Sequence, residues 1–165
     1  KNNMELYHGT VIQNLNTITP QYDGHEKTPY VFATPNFASA LRYVTAEKGN
    51  LYFGIENNTA IIVEKFPYAF ERTYRNASGT IYVLPSTNFQ LTKLKHRIEY
   101  IAAKPITPTS TIKIENTAEK LLDAESKGYI KIYYYPHTPS GYILYKENIF
   151  QKIKRFFYKN FSNKK

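Results

Sequence analysis

The sequence predicts an α+β fold, and three of its properties support that prediction. A chain of 165 residues has the length of one domain and can bury a sizeable core. Apolar residues make up 42% of it and are spread along the whole length, which is typical of a globular protein. Turn residues divide the chain into many short segments with strand character and a few with helical spacing, in no regular alternation.

The first part of the chain predicts two strands and one helix. Thr34 and Pro35 supply a hydroxyl N-cap and a proline at the first helical position, and Gly49 is a natural helix stop. The side chains that recur at helical spacing, and that predict the buried face of this helix, are Phe37, Ala40, Leu41 and Val44. The elements predicted before it are a strand over residues 4–9, a helical turn over 11–15, a polar loop over 17–29 and a strand over 30–33.

Beyond residue 50 the chain is rich in strands, and it ends in a basic amphipathic helix. The predicted strands are residues 51–56, 59–65, 80–84, 97–103, 111–115, 129–135 and 142–145. A helix over residues 117–127 is ended by Gly128, and a last helix covers residues 147–158. The side chains that share the apolar face of this last helix are Ile149, Phe150, Ile153, Phe156 and Phe157. We therefore expect one domain over residues 1–146 and a C-terminal basic helix and tail over 147–165.

The net charge of +9 is concentrated in that tail. Residues 146–165 contain seven lysines and arginines and a single acidic residue, Glu147, which gives this segment a charge of +6. Such a tail favours an anionic partner: nucleic acid, an anionic membrane surface or an acidic protein. The alternative is a solvated helix end that only aids solubility.

Composition also sets aside several classes of site. The chain has no Cys, so disulfides and thiolate metal sites are excluded, and its four His form no helical pair, so no metal is expected. No apolar run approaches the roughly 20 residues of a membrane span, and no signal peptide is visible. We expect a soluble protein, either cytoplasmic or delivered as an effector. The sequence predicts no oligomeric state.

Three short segments, far apart in the chain, carry the functional information. Residues 6–10 are Leu-Tyr-His-Gly-Thr, residues 30–34 are Tyr-Val-Phe-Ala-Thr ahead of a helix that contains Tyr43, and residues 98–101 are Ile-Glu-Tyr-Ile. In this order they resemble the His…Tyr…Glu signature of the ADP-ribosyltransferase superfamily, in its diphtheria-toxin and poly(ADP-ribose)-polymerase branch. The resemblance implies a split, twisted β-sheet with flanking helices, and NAD bound as substrate in the cleft between the two halves.

The resemblance gives the first segment a role in holding NAD. His8 would bind the ribose hydroxyls, and the backbone of Gly9 would pair with the nicotinamide carboxamide. Thr10 would line the floor of the same NAD pocket. Glycine suits that position because it has no Cβ to obstruct a close approach. The same triplet is similar to the start of the RNA 2′-phosphotransferases. Without the other segments, it would be a histidine at a strand end followed by a turn glycine.

The second segment matches the strand that borders the cofactor in the superfamily, through Tyr30, Phe32 and Ala33. The resemblance also implies that Tyr43 is the tyrosine that stacks on the nicotinamide ring. That ring is cationic in NAD, so an aromatic face attracts it. Tyr43 lies about 100° to one side of the buried helical stripe, where a side chain can border a cleft. The alternative is an ordinary half-buried tyrosine.

Glu99 is the candidate catalytic carboxylate. In a strand over residues 97–103 it stands among apolar neighbours, a costly position for a charge that is neither paired nor functional. The resemblance implies that it stabilises the oxocarbenium-like centre formed when nicotinamide leaves, as carboxylates do in glycoside hydrolysis, and that it orients the ribose 2′-hydroxyl. The alternative is a salt bridge with Arg97 or Lys104 on a solvated sheet face.

A basic loop precedes Glu99, and the resemblance implies that it contacts the acceptor substrate. Its basic side chains are Lys93, Lys95, His96 and Arg97. Arg97 stands where the arginine-modifying branch has a carboxylate or glutamine, so an arginine acceptor is not expected.

The prediction is a mono-ADP-ribosyltransferase that uses NAD, no metal, and a protein or nucleic-acid acceptor. The alternatives are transfer of an RNA 2′-phosphate, for which only Arg42 is near, NAD hydrolysis, and a catalytically silent module that binds nucleic acid or another anionic surface.

Overall fold

A computed structural model describes residues 4–22, 27–92, 99–144 and 148–162 of the chain. Over these residues the protein is an α+β structure, as predicted. The strands are β1 (Glu5–Thr10), β2 (Val31–Ala33), β3 (Leu51–Glu56), β4 (Thr59–Glu64), β5 (Gly79–Pro85), β6 (Gln90–Leu91), β7 (Tyr100–Ala102), β8 (Ser110–Ile114) and β9 (Ile130–Tyr133). The α-helices are α1 (Phe37–Leu41), α2 (Ala69–Tyr74), α3 (Thr117–Ser126) and α4 (Ile149–Ser162), and a short 3₁₀ turn covers Ser86–Asn88.

The strands form three small sheets. β5 lies between β1 and β8, and β7 lies between β2 and β6, with all neighbours antiparallel. In the third sheet β4 pairs antiparallel with β3 and parallel with β9. The first two sheets meet where Tyr7 of β1 and Thr34, directly after β2, exchange two backbone hydrogen bonds of 2.8 and 3.0 Å. This junction places the end of β1 beside β2, and so determines where the first two sequence motifs meet.

Hydrophobic clusters lie on both faces of the sheet formed by β1, β5 and β8, because successive side chains of a strand point to opposite sides. In β5, Ile81 joins a cluster with α1, α3, β4 and β9, whereas Tyr82 and Leu84 join a second cluster with β2 and β7. All three side chains are fully buried. Strand β5 is therefore covered on both sides, which fixes its register, whereas β8 is exposed over most of its length.

Helix α1 is shorter than the prediction and begins later. Its N-cap is Asn36, whose side-chain oxygen accepts a hydrogen bond of 3.2 Å from the Ser39 amide, so the predicted cap at Thr34 is wrong. Gly49 does adopt a left-handed φ of 85°, but the helix has already ended at Leu41. One local and one long-range side-chain bond compete with further helix: the Thr45 hydroxyl accepts from the Glu47 amide and donates to the carbonyl of Thr73, 28 residues away.

Helix α2 was not predicted, and a carboxylate six residues ahead of Phe70 binds its first turn. Glu64, at the end of β4, is buried, and one of its carboxylate oxygens accepts from the Phe70 amide while the other accepts from the Tyr135 amide, both at 2.8 Å. Tyr68, ahead of the helix, is left-handed with φ 61°. Glu64 lies ahead of the usual N-cap position and the N-cap residue Tyr68 makes no side-chain cap bond, so the sequence contains no standard helix-start signal for α2.

Two further predicted elements are wrong. Residues 11–15 form no helical turn, and residues 142–144 form no strand; Tyr145 lies outside the described residues. Side chains take the place of strand pairing in the second case, because the Tyr52 hydroxyl donates to the Ile143 carbonyl at 2.9 Å. The strand predicted over residues 97–103 is observed as Tyr100–Ala102, with residues 97 and 98 outside the described part. The division between a body and a basic tail at residue 146 stays a prediction.

Candidate functional site

A cleft of about 580 Å³ opens beside the junction of the first two sheets. Such a volume is in the range of pockets that bind small molecules and cofactors. Its wall is built by the ends of β1 and β2, the turn after α1, the segment that leads into β3, and the residue before β7. His8, Tyr43 and Glu99, which are the three residues of the sequence signature, all line it. The structure therefore brings together side chains that are 35 and 56 positions apart in the chain.

His8 is held in one orientation by the backbone of β2. Its Nδ1 lies 2.7 Å from the carbonyl oxygen of Phe32. A carbonyl only accepts, so Nδ1 is the donor and Nε2 is the acceptor of the neutral ring. Burial lowers the pKa of His8 below its usual value of 6.5, although the Phe32 hydrogen bond opposes this shift. At neutral pH the cleft therefore holds an uncharged imidazole with a fixed tautomer.

The lowered pKa of His8 predicts a stability loss in acid. The unfolded chain takes up the histidine proton near pH 6.5 and the folded chain only below that, so the free energy of unfolding falls as pH drops through this window. Urea unfolding at about pH 7 and about pH 5.5 should show that loss for the native chain and a smaller one for His8→Gln. In the control His137→Gln the native loss should persist. An unchanged loss in His8→Gln would contradict the prediction.

Gly9 is required by the packing of β1 against α1. A Cβ at this position would lie 2.1 Å from the carbonyl oxygen of Ala40. The resemblance implies that the missing Cβ leaves room for nicotinamide. In the structure, helix α1 occupies the space in which that Cβ would lie. Gly9 also lines the cleft, whereas Thr10 is not among the described residues of its wall and accepts a bond from the Ile12 amide instead.

The strand of the second segment contributes two of its three predicted residues. Phe32 and Ala33 line the cleft, and Phe32 also supplies the carbonyl that orients His8. Tyr30 is not part of the described wall; its ring packs edge-on against Phe32 at 6.3 Å, and its backbone pairs with Gln21. Tyr30 thus supports the cleft from behind.

Tyr43 is a cleft residue, though it lies in the turn that follows α1 and not on the helix itself. Its side chain is 41% exposed, while Leu41 and Val44 on either side are fully buried, as the helical stripe predicted. The hydroxyl donates to Glu99 Oε1 at 3.2 Å, and the ring meets Phe53 edge-on at 5.3 Å. The partly exposed ring lines the cleft.

Glu99 lies at the start of β7 and not in the middle of a strand. Its carbonyl accepts from the Thr92 amide at 2.9 Å, and its half-buried carboxylate is held by Tyr43. The expected costly mid-strand position is therefore wrong, because the residue stands at a strand end on a cleft wall. Lys93, Lys95, His96 and Arg97 lie outside the described residues, and their predicted contact with an acceptor stays a prediction.

Arg42, which the sequence connects only with the alternative of phosphate transfer, is also a cleft residue. It is buried, and its guanidinium donates to the backbone carbonyls of Ser39, Gly54 and Ile61 at 3.0–3.2 Å. Burial lowers the pKa of Arg42, but an arginine side chain stays charged in proteins. The guanidinium lies 5.9 Å from the centre of the Tyr43 ring and 5.1 Å from that of Phe53. It thereby supports both rings and adds a fixed positive charge behind them.

A second cleft of about 550 Å³ shares Arg42, Tyr43 and Glu99 with the first and extends to Asn36 and Asn58. The Glu99 carboxylate is thus reached from two openings. In the part of the chain that the structure describes, no three His, Asp or Glu side chains come together as a metal site.

Comparisons of the chain with protein-family models, with curated proteins and with solved structures found no match. A functional conclusion therefore depends on the cleft and on the order of the sequence motifs.

Proposed function

We propose that this chain is a mono-ADP-ribosyltransferase that cleaves NAD in the cleft lined by His8, Tyr43 and Glu99. The observation that carries the proposal is the convergence of these side chains from β1, the turn after α1 and the start of β7. The proposal includes the split-sheet fold of that superfamily, with the Tyr7–Thr34 junction as the point from which the two halves diverge. NAD is the substrate, and no metal takes part in the proposed reaction.

Two residues would bind NAD before any bond is broken. The His8 Nε2 is the acceptor nitrogen of the ring, so it can receive a hydrogen bond from a ribose hydroxyl. The Tyr43 ring, which is 41% exposed on the cleft wall, can stack on the cationic nicotinamide ring, because an aromatic face attracts it. Because the Phe32 carbonyl and Phe53 already hold these two side chains, little ordering remains to be done on binding.

Glu99 would act on the bond between nicotinamide and ribose. The electron pair of that bond moves to the ring nitrogen, neutral nicotinamide leaves, and positive charge develops on the ribose carbon and ring oxygen. A fixed carboxylate next to that centre stabilises the charge without having to reorganise. A nucleophile of the acceptor then forms the new bond to the ribose carbon and loses its proton. The second cleft offers that acceptor, a protein or a nucleic acid, a separate approach to Glu99.

The alternative of RNA 2′-phosphate transfer is disfavoured by Arg42. That chemistry needs cationic side chains that grip phosphates, and the Arg42 guanidinium is buried and bonded to three backbone carbonyls.

The proposal is tested with NAD that carries one label in nicotinamide and another in the adenylate half. The full chain is mixed with the protein and nucleic-acid fractions of a cell extract. We expect release of labelled nicotinamide and transfer of the adenylate label to one fraction. Release with free ADP-ribose as the only other product would replace the proposal by NAD hydrolysis. A folded chain that releases no nicotinamide with either fraction would refute it.

Tyr43 provides a graded prediction. Tyr43→Phe keeps the ring and removes the bond to Glu99, so we expect a loss in kcat of about tenfold. Tyr43→Leu also removes the stacking surface and should raise KM for NAD as well as lower kcat. The matched control is Tyr22→Phe, an exposed tyrosine on the same cleft wall, which should retain the native rate of nicotinamide release. Equal activity of Tyr43→Leu and the native chain would rule out stacking.

A further inference from the structure

Helix α4 turns part of its polar side toward the body of the protein and its apolar side toward solvent. Tyr158 and Arg155 are half-buried, and the Arg75 guanidinium lies 5.8 Å from the centre of the Tyr158 ring. On the other side, Ile149, Phe150 and Phe156 are 68%, 72% and 66% exposed. This is the reverse of an ordinary surface helix, whose apolar stripe faces the core.

The exposed apolar side chains form one continuous surface. At 3.6 residues per turn, the five of them fall within an arc of about 120°, and Arg155 and Tyr158 lie opposite its centre. The Phe156 and Phe157 rings contact each other edge-on at 6.2 Å. We call this surface the apolar arc; its members are Ile149, Phe150, Ile153, Phe156 and Phe157.

Cations border the apolar arc on both edges. Lys152 and Lys159 lie beyond one edge and Lys154 beyond the other, each about 40–60° from the nearest apolar side chain. Residues 148–162 contain no Asp or Glu. The three lysines and Arg155 therefore give this segment a charge of +4. Long lysine side chains at the edge of an apolar surface can extend outward so that the ammonium group reaches a polar layer.

We propose that α4 binds an anionic phospholipid surface, with the apolar arc in the interface between headgroups and acyl chains and the bordering lysines on the headgroup phosphates. Exposed phenylalanines beside lysines, with moderate length and low overall hydrophobicity, are the features of a helix that lies in the plane of a membrane. None of the helices in the described ranges has both the length and the apolarity to cross a bilayer. Nucleic acid would contact the exposed lysines but leave the apolar arc in water, whereas a lipid surface covers both.

The chain contains no Trp, so Phe156→Trp gives a single fluorescent reporter on the apolar arc. We expect its emission to shift to shorter wavelength with vesicles of phosphatidylcholine and phosphatidylserine, and to change little with phosphatidylcholine alone. In co-sedimentation, Lys154→Gln should weaken partitioning about fivefold, since one lysine near an anionic surface contributes that factor. Phe150→Ser combined with Phe157→Ser should weaken it at least about 20-fold.

Matched controls are Lys113→Gln and Leu122→Ser, an exposed lysine on β8 and an exposed leucine on α3, which should leave partitioning unchanged. Circular dichroism checks that the double serine variant keeps its helix. If the helix is lost, Lys154→Gln alone tests the proposal. Equal binding to neutral and anionic vesicles would overturn the proposal. Absence of vesicle binding would also overturn it in two cases. In the first, the native chain is a dimer and the double serine variant is a monomer; in the second, the chain binds nucleic acid in a salt-sensitive way. None of these variants touches the cleft, so nicotinamide release reports separately on the proposed function.

Discussion

Glu99→Gln should lower the rate of nicotinamide release from NAD by about 100- to 1,000-fold, the range found when one preorganised electrostatic group is removed from an active site. Glutamine has the same size, and its side-chain oxygen can still accept from the Tyr43 hydroxyl, so the cleft keeps its shape. What is lost is the negative charge that faces the developing oxocarbenium centre. The measurement is a single-turnover assay of nicotinamide release, which separates the chemical step from product release.

Glu47→Gln is the control for this change. Glu47 is an exposed carboxylate on the wall of the same cleft, so the variant removes the same charge from the site at another position. We expect it to retain the native single-turnover rate. If both variants lost the same fraction of activity, the effect would come from the overall potential of the cleft, and the assignment of Glu99 would be wrong.

Gly9→Ala is expected to destabilise the fold by about 3 kcal/mol, at the upper end of the usual cost of overpacking. The new methyl group would lie 2.1 Å from the carbonyl oxygen of Ala40, so β1 and α1 must move apart. For a domain of this size the change should lower Tm by about 6–12 °C. Because β1 carries His8 and α1 leads into Tyr43, nicotinamide release should also fall at temperatures where the variant is folded.

Gly54→Ala offers a comparison with almost the same initial clash. Its Cβ would lie 2.0 Å from the hydroxyl oxygen of Tyr142, the far end of a side chain that can swing away. We expect a loss of less than about 1 kcal/mol and an unchanged rate of nicotinamide release. A Gly9→Ala variant as stable as Gly54→Ala would show that β1 and α1 are not closely packed.

The features that follow from local pattern could be predicted from the sequence. β3 has the predicted bounds, Leu51–Glu56, because its alternation and flanking turns are local properties. Of the four side chains predicted to be the buried face of the first helix, Ala40, Leu41 and Val44 are buried and Phe37 is half-buried, although Val44 lies beyond the end of α1. Motif order placed His8, Tyr43 and Glu99 in one site, and all three line one cleft. That they act on NAD stays a prediction.

The features that the sequence could not predict depend on groups distant in the chain. Arg42 binds carbonyls 12 and 19 residues away, and no pattern in the α1 sequence separates it from an exposed helical arginine. Thr10 and Tyr30 belong to matching motifs, yet their side chains lie outside the described cleft wall, because a motif fixes chain position and not side-chain direction. The strand-end position of Glu99 depends on how β6 and β7 pair, which is a tertiary property.

The two hydrogen bonds of Glu64 bear on how the chain can complete its folding. A single carboxylate serves the amide of Phe70 and that of Tyr135, 65 residues further on, so the start of α2 and the segment after β9 share one anchor. During synthesis, before residue 135 has been added, Glu64 can bind the Phe70 amide but not yet the Tyr135 amide. Late residues therefore complete an early turn, and we expect α2 to gain its full protection from hydrogen exchange only when the last strand has docked.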